Sequence, residues 1–243
     1  MIKPKRKFAG SKKQIVLLLI AAMIGVVAVT WGYPYYKRHF KTVRVNREEI
    51  IQGEKVDLGD RSILTVYFTR VGNTDFDPDV NAVSGASLLL DGETLLGSSE
   101  VLAAMIQDAV GGDLYAIQTQ KKYPSSYNAT VSEARAEMNK DELLALAGEL
   151  PNPEDYDTVF LVYPVWWGTI PEAVRSFLET TDLSGKTLIP LATHGGSKFA
   201  SSVKDLAACT DALVQEEKAL EVYCDDVPKS REAIQKWLSE LAL

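Results

Sequence analysis

At 243 residues, 46% of them apolar, the chain can build one well-buried core but is too short for two full domains, so one globular unit with an appendage is expected. Eleven of its 26 Lys and Arg residues precede the first acidic side chain, Glu48, which leaves the rest with 15 basic against 33 acidic residues and a net charge of −18. A domain so charged repels nucleic acid and anionic membrane and steers basic partners toward itself, which argues against nucleic-acid binding.

Residues 1–13 form a basic N-terminal segment. Between Lys13 and Lys37 lie 23 residues without a formal charge, and their apolar heart, IVLLLIAAMIGVVAVTW from Ile15 to Trp31, is long enough to span a bilayer as a helix. Trp31, Tyr33, Tyr35 and Tyr36 follow at its far end, where amphipathic rings favour the headgroup layer. Basic flanks on both sides do not suit a buried core helix, and Ala28-Val29-Thr30 is a weak cleavage site for a signal peptide. An uncleaved transmembrane signal anchor is therefore expected over 14–36, with the short N-terminus inside. That makes a single-pass protein of the cell membrane with an extracytoplasmic domain. Residues 37–60 are polar and poorly periodic, which reads as a stalk.

From residue 61 to 243, strand and helix patterns alternate. Apolar β-rich runs fall at Ile63–Phe68, Leu114–Ile117, Val159–Tyr163, Leu188–Thr193 and Leu220–Tyr223. Between them, Val101, Leu102, Met105, Ile106, Ala109 and Val110 share one helical face after Ser99, and Gly111-Gly112 stops that helix. Another helix opens on Thr169-Ile170-Pro171-Glu172, a capping-box pattern, and the last carries Ala233, Ile234, Trp237, Leu238 and Leu241 on one face. Five strands alternating with helices make an α/β, doubly wound parallel sheet, whose ligands bind at the carboxyl ends of the strands. Pro190 inside an interior strand predicts a bulge or irregularity. An insertion over 75–97 contains SLLLDGETLL, read as a hairpin around Asp91-Gly92. Cys209 and Cys224 fall about one strand length apart in this layout and are expected to be free thiols.

Three loops at one edge of such a sheet are rich in binding groups. The first strand ends in Thr69-Arg70-Val71-Gly72-Asn73-Thr74, and the first helix begins Gly97-Ser98-Ser99-Glu100. Hydroxyls, glycine amides and a helix N-terminus suit a phosphate, because free N–H groups and the helix dipole both favour negative charge. After the third strand comes Pro164-Val165-Trp166-Trp167-Gly168-Thr169. Adjacent Trp side chains point in opposed directions and are hard to bury together, so a flat aromatic ligand stacked on one is the natural partner. After the fourth strand comes Thr193-His194-Gly195-Gly196-Ser197, whose glycines allow the backbone to approach a planar ring.

VYFTRVGNT, YPVWWGTIP and LATHGGS resemble the phosphate loop and the two ring-flanking loops of the flavodoxin family, in particular a bacterial branch with a Trp-Trp-Gly loop. The resemblance covers residues 62–243 and implies a flavodoxin-like fold, FMN as cofactor and electron transfer as activity. It implies that Thr69 and Arg70 with Gly97, Ser98 and Ser99 hold the ribityl phosphate. It implies too that Trp166 and Trp167, flanked by Pro164 and Val165, cover the isoalloxazine, that Thr193, His194, Gly195, Gly196 and Ser197 face its pyrimidine side, and that Gly168 offers a mobile peptide near N5. Val71 stands where Thr is usual and the insertion splits the loop from its helix, so either Gly72-Asn73-Thr74 or Gly97-Ser98-Ser99 can supply the main phosphate donors; the second sits directly on a helix N-terminus.

Other motif matches fail by mechanism. Gly185-Lys186-Thr187 precedes a strand, unlike a P-loop. Gly195-Gly196-Ser197 lacks the second glycine of a nucleophile elbow, since Phe199 takes its place. Asp75, Asp77 and Asp79 have calcium-loop spacing but no sixth-position Gly. The expected partners are a redox protein with a basic docking surface and, through the N-terminal helix, a membrane. Two further readings are an FMN-dependent reductase of quinones or similar acceptors and a flavin-free binding module.

Overall fold

The N-terminal apolar run forms helix α1 (Lys12–Val27) in the computed structural model, which describes residues 12–28, 43–76, 88–140 and 143–241. Its large side chains, Leu17, Leu18, Ile20, Met23 and Ile24 among them, are exposed all round. Sixteen residues make about 24 Å of helix, against about 30 Å of bilayer hydrocarbon. Among the described residues no helix is long and apolar enough to cross a membrane, so the expected transmembrane helix over 14–36 is not found there. The rest of that span, with Trp31, Tyr33, Tyr35 and Tyr36, lies outside the described residues.

The segment read as a stalk is folded onto the domain from residue 43 onward. It carries β1 (Arg44–Val45) and α2 (Arg47–Ile51) and buries Ile51, with Val43, Val45, Val56 and Leu58 packed against the core. The Val56 amide donates to Ala109 O at 2.8 Å, and Arg231 Nη1 donates to Glu49 O and Gln52 O at 3.1 and 3.0 Å. These apolar residues are irregularly spaced because most of the segment lies outside any helix or strand, which hides them from a periodicity reading.

The main sheet follows as β2 (Ile63–Tyr67), then β3 (Leu88–Asp91) and β4 (Thr94–Gly97) aside from it, α3 (Ser98–Val110), β5 (Asp113–Ala116), α4 (Tyr127–Lys140), β6 (Thr158–Pro164), α5 (Glu172–Thr180), β7 (Thr187–His194), α6 (Ser202–Ala207), β8 (Leu213–Val214), β9 (Leu220–Tyr223) and α7 (Arg231–Glu240). Its order is β5-β2-β6-β7 with β8 and β9 sharing the last lane, every pair parallel. Taken by lanes this is the 2-1-3-4-5 order of flavodoxin-like sheets. Alternate residues of β6 point to opposite faces: Phe160 and Val162 pack with Met105 and Ile106 of α3 and Ile234 and Leu238 of α7, while Leu161 and Tyr163 pack with Val174 and Phe177 of α5. Burial on both faces is why this strand reads as a continuous apolar run.

Pro190 sits in an unbroken register with Leu161 of β6. The irregularity falls on its other side. β8 ends opposite Leu188 and β9 begins opposite Leu191, with a 3-10 turn at Glu216–Lys218 between them, so the ladder lapses where proline has no N–H to give.

The insertion's hairpin is present one residue later than expected: β3 and β4 pair antiparallel from Asp91–Thr94 to Leu88–Gly97 around a Gly92-Glu93 turn, with Gly92 at φ +57°. With β1 it makes a three-stranded sheet whose Leu89 and Leu96 join the α3 core. Residues 77–87, including Asp77 and Asp79, lie outside the described residues. Cys209 and Cys224 are both free thiols, and burial raises the pKa of Cys209.

Candidate functional site

Three connections meet at the carboxyl edge of the sheet, on both sides of the point where strand order reverses between β2 and β6. The first is the exit of β2. Thr69 packs so tightly under the N-terminus of α3 that a Cβ on Gly97 would lie 2.0 Å from Thr69 Oγ1. Gly97 donates its own N–H to Glu100 Oε2 at 3.0 Å, while Ser98 and Ser99 are buried in the first turn.

Arg70 is only 3% exposed, and burial lowers its pKa to about 10. Its Nη2 donates to Pro124 O and Ser125 O at 3.0 and 2.8 Å, and its guanidinium lies 5.0 Å from the Phe76 ring centroid. Nε is buried without a partner, and so is Thr74 Oγ1 at the other end of this loop. Buried cations and hydroxyls are normally satisfied. Two orphaned donors in one loop therefore fit an anionic ligand. Asn73 is spent on structure: Nδ2 donates to Thr69 O and Ile117 O at 2.8 and 2.9 Å, and Oδ1 accepts from the Thr119 amide at 2.8 Å.

The second connection separates the two tryptophans. Trp166 is packing: its ring meets Phe68 and Tyr123 edge-on, both at 5.4 Å. Trp167 is 50% exposed and held at φ +54°, a left-handed conformation that a bulky aromatic rarely adopts. Its Nε1 donates to Val131 O at 3.1 Å, and the Arg135 guanidinium lies 4.8 Å from the ring centroid. The expected capping box at Thr169 does not form. Pro171 is the N-cap of α5 without a side-chain bond, and the Thr169 hydroxyl donates instead to Asp205 Oδ2.

The third connection joins the others through Thr193, whose Oγ1 lies 3.5 Å from Ser99 Oγ and whose carbonyl accepts from the Val165 amide at 2.7 Å. Gly195, Gly196 and Ser197 form an exposed tip. His194 is 4% exposed and occupied at both nitrogens: Nδ1 accepts from the Gly196 amide at 3.0 Å, which leaves Nε2 as the donor to Glu221. Lys198 (φ +52°) and Ala200 (φ +46°) are, with Trp167, the non-glycine residues of positive φ among the described residues, and all three lie in these two abutting loops.

Thr69, Gly97, Ser99, Thr193, Val165 and the Trp turn are thus brought together, while Arg70 and His194 are turned to neighbouring loops. Sequence reasoning missed Val131, Arg135, Ser201 and Asp205, which hold the Trp turn from outside and carry no motif. An open groove of about 770 Å³ at the opposite edge of the sheet, lined in part by Glu179, Thr181, Asp182, Cys209 and Asp211, gathers none of the site residues. No cluster of metal-ligating side chains occurs among the described residues.

No curated protein matches the chain. Among solved structures, a candidate flavoprotein of Bacteroides eggerthii DSM 20697 is 28% identical, with a TM-score of 0.55 over 76% of this chain and 99% of that one. A second, from Bacteroides uniformis ATCC 8492, is 24% identical, with a TM-score of 0.54 over 75% and 100%. A flavoprotein of Lactobacillus acidophilus NCFM, crystallised in complex with FMN, is 13% identical, with a TM-score of 0.47 over 73% and 98%. The sequence model of the flavodoxin family matches residues 94–241, more than half of the chain, which therefore belongs to that family.

Proposed function

We propose that this flavodoxin-family domain is an electron carrier that works through FMN and is tethered to a membrane by its N-terminal segment. FMN is its cofactor. The observation that carries the reading is that Thr193 links the α3 N-terminus, through Ser99 Oγ at 3.5 Å, to the start of the Trp loop, through the Val165 amide at 2.7 Å, the loop on which Trp167 stands half exposed. The phosphate would be held by the Thr69–Thr74 loop and Gly97-Ser98-Ser99, through α3 amides and the donors Arg70 Nε and Thr74 Oγ1 that lack acceptors. The isoalloxazine would be held by Trp167 and its loop neighbours Pro164, Val165, Trp166 and Gly168, and by Thr193, Gly195, Gly196 and Ser197 of the loop that His194 braces from behind. When bound, FMN supplies one- and two-electron redox chemistry. The chain's share is to bind the phosphate, orient the ring and keep water from one of its faces. The Trp166-Trp167-Gly168 loop favours the family's Trp-Trp-Gly branch.

The domain's charge of −18 favours a redox partner with a basic docking surface. Exposed apolar side chains all round α1 favour membrane residence. The short basic N-terminus favours an extracytoplasmic domain. Full-length protein purified in detergent should be yellow and release FMN on heating. Colourless protein that takes up no FMN in titration would overturn the reading, and NADH-dependent turnover without a separate reductase would make it a reductase instead.

A further inference from the structure

We infer that Asp205, acting through Ser201 and Thr169, is the positioning residue that holds Trp167 as the ring platform; the inference rests on the FMN reading above. Trp166-Trp167-Gly168-Thr169 is a tight turn closed by the Trp166 and Thr169 amides, each donating to the other residue's carbonyl at 3.0 Å. Its central residues stand at φ +54° and +83°, both in the left-handed region. Turns of this kind favour Asn-Gly, so Trp at the first central position needs a hold from outside the turn.

The hold comes from the segment that leads into α6. Gly168 O accepts from the Ser201 amide at 2.9 Å, and the Ser201 hydroxyl can donate to the same carbonyl at 2.9 Å or to Asp205 Oδ2 at 2.5 Å. That carboxylate oxygen also accepts from Thr169 Oγ1 at 2.5 Å. Both hydroxyl bonds to Asp205 are charge-assisted, the stronger kind. Asp205 thus joins residue 169, the end of the turn, to residue 201, which fixes its middle. A Cβ on Gly168 would lie 3.6 Å from Ala200 Cβ, so the two loops are in contact along this line. Val131 and Arg135 of α4 take one side of the indole and leave the rest of the ring open to a ligand. The carboxylate's side-chain hydrogen bonds go to Thr169 and Ser201, one in each loop. Its role is to order two loops.

The test is FMN titration of the full chain, wild type and Asp205→Ala, each with Trp167 intact and with Trp167→Ala. Asp205→Ala should weaken FMN binding about tenfold or more, and that loss should vanish in the Trp167→Ala background. Asp205→Asn should stay within about threefold, because an amide oxygen can accept the same two hydroxyls. Should Asp205→Ala not fold, Thr169→Val removes one of the two bonds and should show a smaller loss with the same dependence on Trp167. Wild-type affinity in Asp205→Ala, or an equal loss with and without Trp167, would overturn the inference. If the wild type binds no FMN, the FMN reading fails by itself. The clamp is then read from acrylamide quenching of the Trp167 contribution to fluorescence, taken against Trp167→Phe; quenching unchanged by Asp205→Ala would overturn it.

Discussion

At the scale of single residues, neighbouring side chains of the same type do different work. Trp166 closes an aromatic cluster with Phe68 and Tyr123, whereas Trp167 stands half exposed on a left-handed turn. Trp167→Ala should therefore weaken FMN binding by about 1 kcal/mol or more, as stacking and burial are lost together, with little change in Tm. Trp166→Ala should instead cost the fold about 2 kcal/mol or more through the cavity it leaves. Chemical denaturation beside FMN titration separates the two, and a reversed pattern would show the platform to be Trp166. His194 is likewise bound into its loop: His194→Ala leaves the Gly196 amide without its acceptor and Glu221 with only Lys198, 3.7 Å away, and should cost about 1 kcal/mol of stability. Gly97 has no room for a side chain against Thr69, so Gly97→Ala must displace the N-terminus of α3 and should abolish tight FMN binding while riboflavin, which lacks the phosphate, is affected far less. Equal losses for FMN and riboflavin would remove the phosphate from this helix end.

At the scale of elements, α4 and the loop before it back the Trp turn. Tyr123 donates to Glu137 Oε2 at 3.0 Å, and its amide donates to Asn73 O at 2.7 Å, so it ties α4, this loop and the Thr69–Thr74 loop together. Burial raises the pKa of Glu137; Glu133 and Glu172 push the same way, against the Tyr123 hydrogen bond and Lys121. Burial first, then Glu137, also raises that of Tyr123. A carboxyl whose folded pKa is raised is held more tightly by a proton in the folded state. Its contribution to stability is therefore full below the ordinary glutamate value and is lost as pH rises through the raised one. Glu137→Gln keeps an acceptor for Tyr123 without the charge. It should gain stability relative to wild type as pH rises from about 4 to 7, measured as the difference in Tm between the two proteins. A difference independent of pH would mean that Glu137 titrates alike in the folded and unfolded chain.

For the whole molecule, the charge beyond residue 47 sets the field in which the flavin is reduced. A net −18 makes added negative charge on a reduced flavin costly. Salt screens that cost, with a Debye length of about 10 Å at 0.1 M. The reduction potential of the bound flavin should therefore rise with ionic strength, and docking of the basic redox partner proposed above should weaken over the same range. Potentiometric titration at low and high salt checks the first; a potential that is flat or falls with salt would place the controlling charges within the covered site, where screening is weak.

Periodicity and composition alone determined much of this protein. The five parallel lanes and the α3 stripe ending at Gly111-Gly112 follow from local pattern, because a strand buried on both faces and a one-sided helix each leave a signature in consecutive residues. Only the tertiary structure decided the rest. α4 buries just Thr130 and Ala134 and so has almost no apolar stripe to read. Residues 43–61 dock as a two-residue strand, one short helix and irregular chain, whose contacts with α3 and α7 have no period. Pro190 is tolerated because the neighbouring lane lapses beside it, a fact of a strand some 25 residues away in sequence. Within the site, the spacing of Trp166 and Trp167 cannot say which ring is packed and which is exposed. That depends on Phe68, Tyr123, Ser201 and Asp205, which lie far off along the chain and come to the turn only when the sheet brings its carboxyl edge together.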